Sequence, residues 1–219
     1  MDRKALLERM IDCGIVGVVR TSSAETALKA VEAVMAGGMN AVEITFTVPN
    51  AVDVIRTVAK SIGPDIILGA GTVTDMEKAK AAIDAGARFI VAPNTDRETI
   101  MAAVARGAVA IPGALTPTEV VNAVAAGADA VKIFPASAFG PSYIKALRGP
   151  LPDVVYVPTG GVELDNIPAY LEAGAKMFGV GSNLVDKKLI DVGDYATITK
   201  RARAFIDAVK TARAAMKKK

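Results

Sequence analysis

The chain contains no histidine, no tryptophan and a single cysteine, Cys13, among its 219 residues. Without histidine there can be no Ser-His-Asp triad, no histidine general base and no imidazole metal ligand, and one cysteine supplies too few thiolates for a common zinc site. We therefore expect no metal centre. A lone cysteine also excludes an internal disulfide, which fits a reducing cytoplasm. Carbonyl chemistry would have to use an amine and a carboxylate.

Aromatic residues, net charge and long apolar runs are also scarce. With four Tyr, six Phe and a net charge of +3, the chain has little with which to stack on bases or neutralise phosphates, so we expect no nucleic-acid partner. Mean hydropathy is +0.36, yet the longest charge-free runs, such as 107–118, hold about 12 residues, fewer than the roughly 18 that span a membrane. Segment 1–8 predicts a short amphipathic helix rather than a signal peptide.

The 52% hydrophobic content predicts one large core and a single domain over 1–219. Short runs rich in valine and isoleucine alternate with segments of helical periodicity. The runs predict eight strands, at 14–20, 41–46, 65–68, 88–92, 108–111, 129–134, 154–157 and 176–180. The segments between them predict helices at 23–36, 50–61, 76–85, 98–106, 117–126, 142–147 and 164–173, followed by a closing helix over 195–219.

This alternation implies parallel strands with right-handed crossovers. Eight such units close most naturally as a (β/α)8 TIM barrel of the α/β class, with an N-terminal and a C-terminal helix and an active site at the strand C-termini. The alternative is an open doubly wound sheet, but no Gly-x-Gly-x-x-Gly follows the first strand. Helices end in glycine at 36–38, 85–87, 126–128 and 173–175, which predicts left-handed caps.

Lys132 is the most informative residue, because it is a lone ammonium in the apolar run 130–135. Burial disfavours charged lysine, and a neutral amine is a nucleophile toward carbonyl carbon. Glu43 is equally unusual in the run 41–46. Since side chains alternate along a strand, one register aims both groups into the barrel mouth, where they would suffice for carbon–carbon cleavage through an iminium. The alternatives are a lysine tip in water and a structural ion pair of Glu43 with Arg20 or Lys132.

Two glycine-rich segments, 157–161 and 179–182, follow the seventh and eighth predicted strands. Glycines let backbone N–H groups approach an anion, and the next helices would point their N-termini at it, as in the phosphate sites of this barrel. Tight turns alone are the alternative. Other polar residues at predicted strand ends are Arg20, Thr47, Thr72 and Asn94. The segments 69–72 and 111–117 consist mostly of small residues and would keep the mouth open for a ligand.

From about residue 10 to residue 210, the chain resembles the 2-keto-3-deoxy-6-phosphogluconate (KDPG) aldolase family, which includes 4-hydroxy-2-oxoglutarate aldolases. The stretches that carry the resemblance, in order, are 18–20, 43–50, 69–73, 111–113, 132–136 and 157–162. The resemblance implies a class I aldolase of the Entner–Doudoroff pathway on a (β/α)8 barrel, usually a homotrimer, with no cofactor and no membrane partner.

By the same resemblance, Lys132 matches the Schiff-base lysine and Glu43 the general acid/base. Thr72 matches a contact to the pyruvyl carboxylate. The phosphate site is matched by Gly160, Gly161 and Ser182, and further substrate contacts are expected at Arg20, Thr47, Pro93, Phe134, Thr159 and Gly181. Thr47 stands where some members carry an arginine that binds the substrate carboxylate, and Arg20 is the substitute candidate for that charge.

The reaction that we expect is cleavage of KDPG to pyruvate and glyceraldehyde 3-phosphate. The nearest alternatives keep the imine but act on 4-hydroxy-2-oxoglutarate, which lacks a phosphate, or on 2-keto-3-deoxy-6-phosphogalactonate, the epimer of KDPG. A different class of alternative is a non-catalytic barrel that binds phosphorylated ligands or serves assembly through its alanine-rich outer helices. It leaves Lys132 and Glu43 unexplained.

Overall fold

The computed structural model of the protein describes residues 2–218. Two termini of predicted segments lie outside the described residues, namely Met1 of the N-terminal helix and Lys219 of the C-terminal helix. Within residues 2–218, no helix combines the length and the apolar character needed to cross a membrane.

Strands and helices alternate along the chain. The strands are β1 (Ile15–Val19), β2 (Ala41–Thr45), β3 (Ile67–Gly71), β4 (Phe89–Val91), β5 (Val109–Ile111), β6 (Gly113–Ala114), β7 (Val131–Ile133), β8 (Tyr156–Pro158) and β9 (Phe178–Val180). The helices are α1 (Arg3–Cys13), α2 (Ala24–Ala36), α3 (Ala51–Ser61), α4 (Met76–Asp84), α5 (Arg97–Ala105), α6 (Pro117–Ala125), α7 (Pro141–Arg148), α8 (Ile167–Ala173), α9 (Lys187–Asp191) and α10 (Tyr195–Met216). The predicted α/β alternation is thereby confirmed.

All paired strands of residues 2–218 run parallel, in two sheets. One sheet has the order β5-β4-β3-β2-β1-β9 and the other has the order β6-β7-β8. Only Pro112 separates β5 from β6 along the chain. At the opposite ends of the two sheets, Lys176 N donates to Tyr156 O over 3.2 Å and Thr159 forms a parallel bridge with Gly179. The two sheets therefore continue into each other on both sides.

The sheets separate two apolar clusters. The larger one lies between the strands and the outer helices, with residues such as Val42 and Ile44 on its strand side. The smaller one combines inward-facing side chains from both sheets, among them Phe89 and Val157, with Leu6 and Met10 of α1. Period-2 alternation explains the division, because successive residues of a strand face opposite sides of its sheet. Helix α1 thus covers the N-terminal end of the strands.

Several predicted boundaries are wrong. The third strand was expected at 65–68 but runs over Ile67–Gly71. Its glycines belong to the strand and not to a loop: a Cβ at Gly69 would collide with the ring of Phe89, so this strand position has room only for glycine. Strand β6 and helix α9 have no predicted counterpart, and α1 extends past residue 8 to Cys13. The left-handed glycine caps are confirmed after α2, α4, α6 and α8, at Gly38, Gly86, Gly127 and Gly174.

Arg213 on α10 joins the last helix to the first. Its guanidinium donates to the carbonyls of Asp12 at 2.8 Å, Ile11 at 2.6 Å and Lys176 at 2.7 Å. Ile11 and Asp12 belong to the last turn of α1, whose carbonyls have no partner within the helix and favour a nearby cation. One half-buried side chain therefore satisfies acceptors on two separate segments.

We expect Arg213→Met to lower the free energy of unfolding by about 2 kcal/mol, because three carbonyls lose a charged donor while most of the apolar stem is kept. Lys210→Met, at an exposed position of the same helix, is the matched control and should change stability by less than about 0.5 kcal/mol. Urea denaturation followed by circular dichroism measures both. Equal stabilities for the two variants would contradict this role of Arg213.

Candidate active site

The strand register places Glu43 and Lys132 on the inner face of the sheets. Glu43 pairs with Val18 of β1 and Gly69 of β3, and Lys132 pairs with Gly113 and Val157. The two side chains come from different sheets, yet both are buried, with exposures of 3% for Glu43 and 6% for Lys132. The predicted convergence of an amine and a carboxylate inside the mouth matches this placement.

Burial sets the protonation of both groups. Desolvation lowers the pKa of Lys132; the Glu43 carboxylate opposes this shift and the Arg20 cation adds to it. Desolvation also raises the pKa of Glu43, whereas the positive charges of Lys132 and Arg20 lower it by a smaller amount. No ion pair within 4.0 Å joins Glu43 to Lys132 or Arg20 among residues 2–218, so the structural ion pair considered above is absent from this part of the chain. Burial therefore shifts the Lys132 amine toward its neutral form.

Small and aromatic neighbours define where the two groups lie. A Cβ on Gly71 would collide with Oε1 of Glu43, so the absence of a side chain there makes room for the carboxyl. The Nζ of Lys132 lies 4.6 Å from the ring centroid of Phe134, two residues along the same strand face. Phe134 itself is 36% exposed, whereas Lys132 is 6% exposed. Both reactive groups are thus held by the residues immediately around them.

A cavity of about 90 Å³ lies next to this pair. Seven of the predicted site residues line it together, namely Arg20, Phe134, Thr159, Gly160, Gly161, Gly181 and Ser182. A smaller void below contains Glu43 and Lys132 and shares Val18, Thr159 and Gly179 with the cavity. The predicted phosphate residues and the predicted catalytic residues therefore line adjoining spaces.

The glycine loop after β8 presents backbone N–H groups to the cavity. The carbonyl of Gly160 accepts from Ser137 N at 3.0 Å, and the carbonyl of Gly161 accepts from Asn166 Nδ2 at 2.8 Å. In a trans peptide the N–H points opposite to the C=O, so the N–H groups of Gly161 and Val162 face away from those partners. Neither N–H has a hydrogen-bond acceptor among residues 2–218. Consecutive amides in this arrangement form an anion-binding nest.

Positive φ angles make this loop possible. Gly160 has φ of 85° and Gly161 has φ of 76°, which favour glycine. A Cβ on Gly161 would also lie 2.6 Å from Cβ of Ser137. On the facing loop, Arg20 Nη1 lies 3.3 Å from the Cβ position of Gly181. The cavity thus combines backbone donors with one guanidinium.

The helix N-termini are not where the sequence led us to expect them. Helix α8 begins only at Ile167 and α9 only at Lys187, each preceded by a turn of several residues. The glycine loops run first into these turns. Asparagines in the turns donate to carbonyls of the loop after β8: Asn166 to Gly161 and Asn183 to Val162. Donors to an anion would therefore come from loop amides rather than from helix ends.

Three predicted substrate contacts line neither space. Thr47 is exposed and its Oγ1 lies 2.6 Å from Oγ1 of the fully buried Thr45. Thr72 follows Gly71 with φ of 59°, a left-handed conformation that is uncommon for threonine and concentrates at functional sites. Pro93 packs its backbone against Gly113. All three follow the C-terminal ends of strands β2, β3 and β4.

Sequence reasoning missed Val162 and Asn183, which line the cavity, and Asn166, which holds its loop. Asn183 follows directly after the glycine-rich run 179–182, which is the signal that could have drawn attention to it. Asn166 carries no such signal. Among residues 2–218, no group of three or more His, Cys, Asp or Glu side chains could hold a metal ion.

Comparison with known proteins identifies the family to which the chain is related. A family model described as KDPG and KHG aldolase matches residues 6–201. A 2-dehydro-3-deoxy-6-phosphogalactonate aldolase of Escherichia coli (strain K12) is 40% identical over 78% of this chain and 83% of its own. A KHG/KDPG aldolase of the same organism is 34% identical over 94% of this chain and 98% of its own.

Solved structures are similar as well. A KDPG aldolase from Legionella pneumophila, with pyruvate captured at low pH as a covalent carbinolamine intermediate, superposes with a TM-score of 0.81 at 29% identity, over 90% of this chain and 97% of that one. A cube-shaped protein cage designed by fusing symmetric oligomeric domains gives a TM-score of 0.87 at 35% identity, over 94% of this chain and 75% of that one. By the extent of the family match and the identity to its members, this chain belongs to the KDPG and KHG aldolase family, a family of carbon–carbon lyases.

Proposed function

We propose that the protein is a class I aldolase that cleaves 2-keto-3-deoxy-6-phosphogluconate to pyruvate and glyceraldehyde 3-phosphate. The observation that carries the proposal is the buried Lys132, whose pKa is lowered by desolvation, beside an equally buried Glu43 and next to a cavity with anion-binding amides. The carbinolamine captured in the similar Legionella aldolase supports the same chemistry.

The first step is attack of the neutral Lys132 amine on the C2 ketone. A carbinolamine forms, water leaves, and the resulting iminium accepts the electron pair of the C3–C4 bond. A nearby cation favours the neutral amine, and Arg20 supplies one. The same guanidinium, with Thr72 and Thr47 at the mouth, is our candidate anchor for the substrate carboxylate.

Glu43 then moves the protons. Acting through a water molecule, its carboxylate takes the proton of the C4 hydroxyl while the C3–C4 bond breaks, and glyceraldehyde 3-phosphate leaves. The carboxylic acid so formed returns the proton to C3 of the enamine, and hydrolysis of the iminium releases pyruvate. Burial raises the pKa of Glu43, which makes its acid form a better holder of the proton between the two transfers.

The phosphate is bound by the nest. The N–H groups of Gly161 and Val162, together with Ser182 and Gly181 of the facing loop, surround the cavity next to Thr159. Phe134 closes the side between this cavity and the amine. This phosphate site favours a phosphorylated substrate over 4-hydroxy-2-oxoglutarate. The buried Lys132 and Glu43 beside it favour an enzyme over a barrel that only binds ligands.

A second candidate substrate is the C4 epimer, 2-keto-3-deoxy-6-phosphogalactonate. The relative with 40% identity carries the name of an aldolase for that acid. The epimers differ only in the orientation of one hydroxyl, so the same lysine, carboxylate and nest serve both. Comparing kcat/KM for the two epimers decides between them, and a preference for the galactonate acid would replace the primary proposal.

We also propose the finer architecture. Counting β5 and β6 as one strand interrupted at Pro112, the two sheets form a closed (β/α)8 barrel, and residues 1–219 form one domain. This is supported by the bridge between Thr159 and Gly179 and by the inner cluster that both sheets share.

A homotrimer is supported by the similar cage of symmetric oligomeric domains and by the exposed Met101, Val121 and Val124 of α5 and α6. Light scattering tests it, against a chain mass of 22.6 kDa. A cytoplasmic location fits the lone thiol.

We expect incubation with pyruvate and borohydride to add one reduced pyruvyl group to Lys132, located by peptide mass mapping. Because imine formation needs the neutral amine, the trapping rate should rise with pH through the pKa of Lys132, which burial places below 10.5. Lys132→Met should give no adduct. Lys145→Met, at an exposed position of α7, is the matched control and should be trapped like the unaltered protein. An adduct on another lysine would refute the assignment.

We expect Glu43→Gln to lower kcat for the phosphorylated substrate by about 10²–10⁴-fold, since the amide cannot accept the proton of the C4 hydroxyl. Imine trapping with pyruvate should persist, because that step uses Lys132. Glu98→Gln, an exposed carboxyl on α5, serves as the control in steady-state kinetics. Near-normal turnover of Glu43→Gln would remove Glu43 from the mechanism.

A further inference from the structure

Asn166 lies in the turn between the glycine loop and α8, outside the cavity lining. Its Nδ2 donates to the carbonyl of Gly161 at 2.8 Å, and its Oδ1 accepts from the backbone N of Glu163 at 3.0 Å. The side chain therefore spans the peptide units on both sides of Val162. No other side chain of residues 2–218 donates to the Gly161 carbonyl.

The two bonds fix how the loop faces the cavity. When the Gly161 carbonyl points to Asn166, the N–H of Val162 in the same peptide must point away from Asn166, and Val162 lines the cavity whereas Asn166 does not. When the N–H of Glu163 points to Asn166, it is drawn away from the cavity. The nest thus contains the N–H groups of Gly161 and Val162, and Asn166 sets the orientation of the second.

At neutral pH, the amide of Asn166 supplies both the donor and the acceptor that these two bonds need. Reversing the Asn166 amide would face Nδ2 to a donor and Oδ1 to an acceptor, so the hydrogen bonds define its orientation. Aspartate would keep the acceptor but place a carboxylate oxygen against the Gly161 carbonyl. Gly161 itself, with positive φ, has little intrinsic preference for one peptide orientation. The loop therefore depends on an outside group.

We propose that Asn166 is a positioning residue for the phosphate: it holds the peptide between Gly161 and Val162 with its N–H toward the bound phosphate. This inference rests on the proposed function and adds a determinant of its preference for phosphorylated substrates. Asn166 contacts neither the reacting carbons nor the amine, so its removal should affect phosphate recognition and leave imine formation intact.

The test uses Asn166→Ala in the full chain. We expect KM for the phosphorylated substrate to rise about tenfold, as for the loss of one hydrogen bond to a charged group, with kcat changed less than about threefold. Inhibition by inorganic phosphate should weaken by a similar factor. KM for the unphosphorylated 4-hydroxy-2-oxoglutarate and the rate of pyruvate trapping on Lys132 should stay within about twofold.

Asn122→Ala, an exposed asparagine of α6, is the matched control and should behave as the unaltered protein in every assay. Asn166→Asp supplies a readout that a merely structural role would not change. At pH 8 its ionised carboxylate cannot donate to the Gly161 carbonyl, whereas the protonated acid can. Because an aspartate carboxyl ordinarily titrates at about pH 4, the ratio of its KM to that of the unaltered protein should fall as the pH is lowered from 8 to about 4.

The outcomes separate the two proposals. If the unaltered protein forms no pyruvyl adduct, the proposed function fails whatever Asn166 does. If the adduct forms but Asn166→Ala binds inorganic phosphate and the phosphorylated substrate normally, the positioning role is wrong. Equal losses for phosphorylated and unphosphorylated substrates, or a KM ratio of Asn166→Asp that does not change with pH, would likewise overturn it.

Discussion

Removal of water from the space enclosed by the inner faces of the two sheets is the condition on which the site depends. It lowers the pKa of Lys132 and raises that of Glu43, so that an ammonium and a carboxylate, which would be fully charged in water, are both shifted toward neutrality. The Glu43 carboxylate favours the charged amine, but the desolvation of Lys132 outweighs this attraction and lowers its pKa. The nucleophilicity that we propose for Lys132 is therefore a consequence of the packing around it.

This arrangement opposes folding, and the rest of the structure offsets it. The pKa of Lys132 is lower in the folded than in the unfolded chain, so the unfolded chain binds more protons between the two values. Stability consequently rises with pH across that interval, and the lysine costs stability below it. The inner apolar cluster, covered at its base by α1 and joined to α10 through Arg213, supplies compensating burial and hydrogen bonds.

The sequence predicted the parts of the site that follow from one-dimensional periodicity. Lys132 and Glu43 stood out because each interrupts an apolar run, and alternation along a strand was enough to put them on the same side. The parallel α/β order followed from the same alternation of patterns, and four glycine caps followed from local chain stereochemistry. These features depend on neighbours within a few residues, which a sequence displays directly.

What the sequence left open depends on contacts between distant segments. Gly69 was taken for a loop residue because nothing local reveals that Phe89 of the next strand needs its space. The predicted positions of the helix N-termini near the cavity were wrong, because the glycine loops continue into turns before the helices begin. Asn166 acts through a carbonyl five residues earlier, and no composition or spacing distinguishes it from an ordinary turn residue.

Leu6 and Met10 of α1 fill the N-terminal end of the space between the sheets, and this bears on the order of steps in the proposed reaction. Because that end is filled, substrate, products and hydrolytic water all pass through the opposite end, where the strands have their C-termini. The phosphorylated aldehyde occupies the space nearer to solvent, while the pyruvyl fragment stays covalently attached below it. Because the C3–C4 bond breaks while the pyruvyl fragment is still bound to the lysine, the aldehyde leaves first through this opening, and pyruvate leaves last, after hydrolysis of the imine.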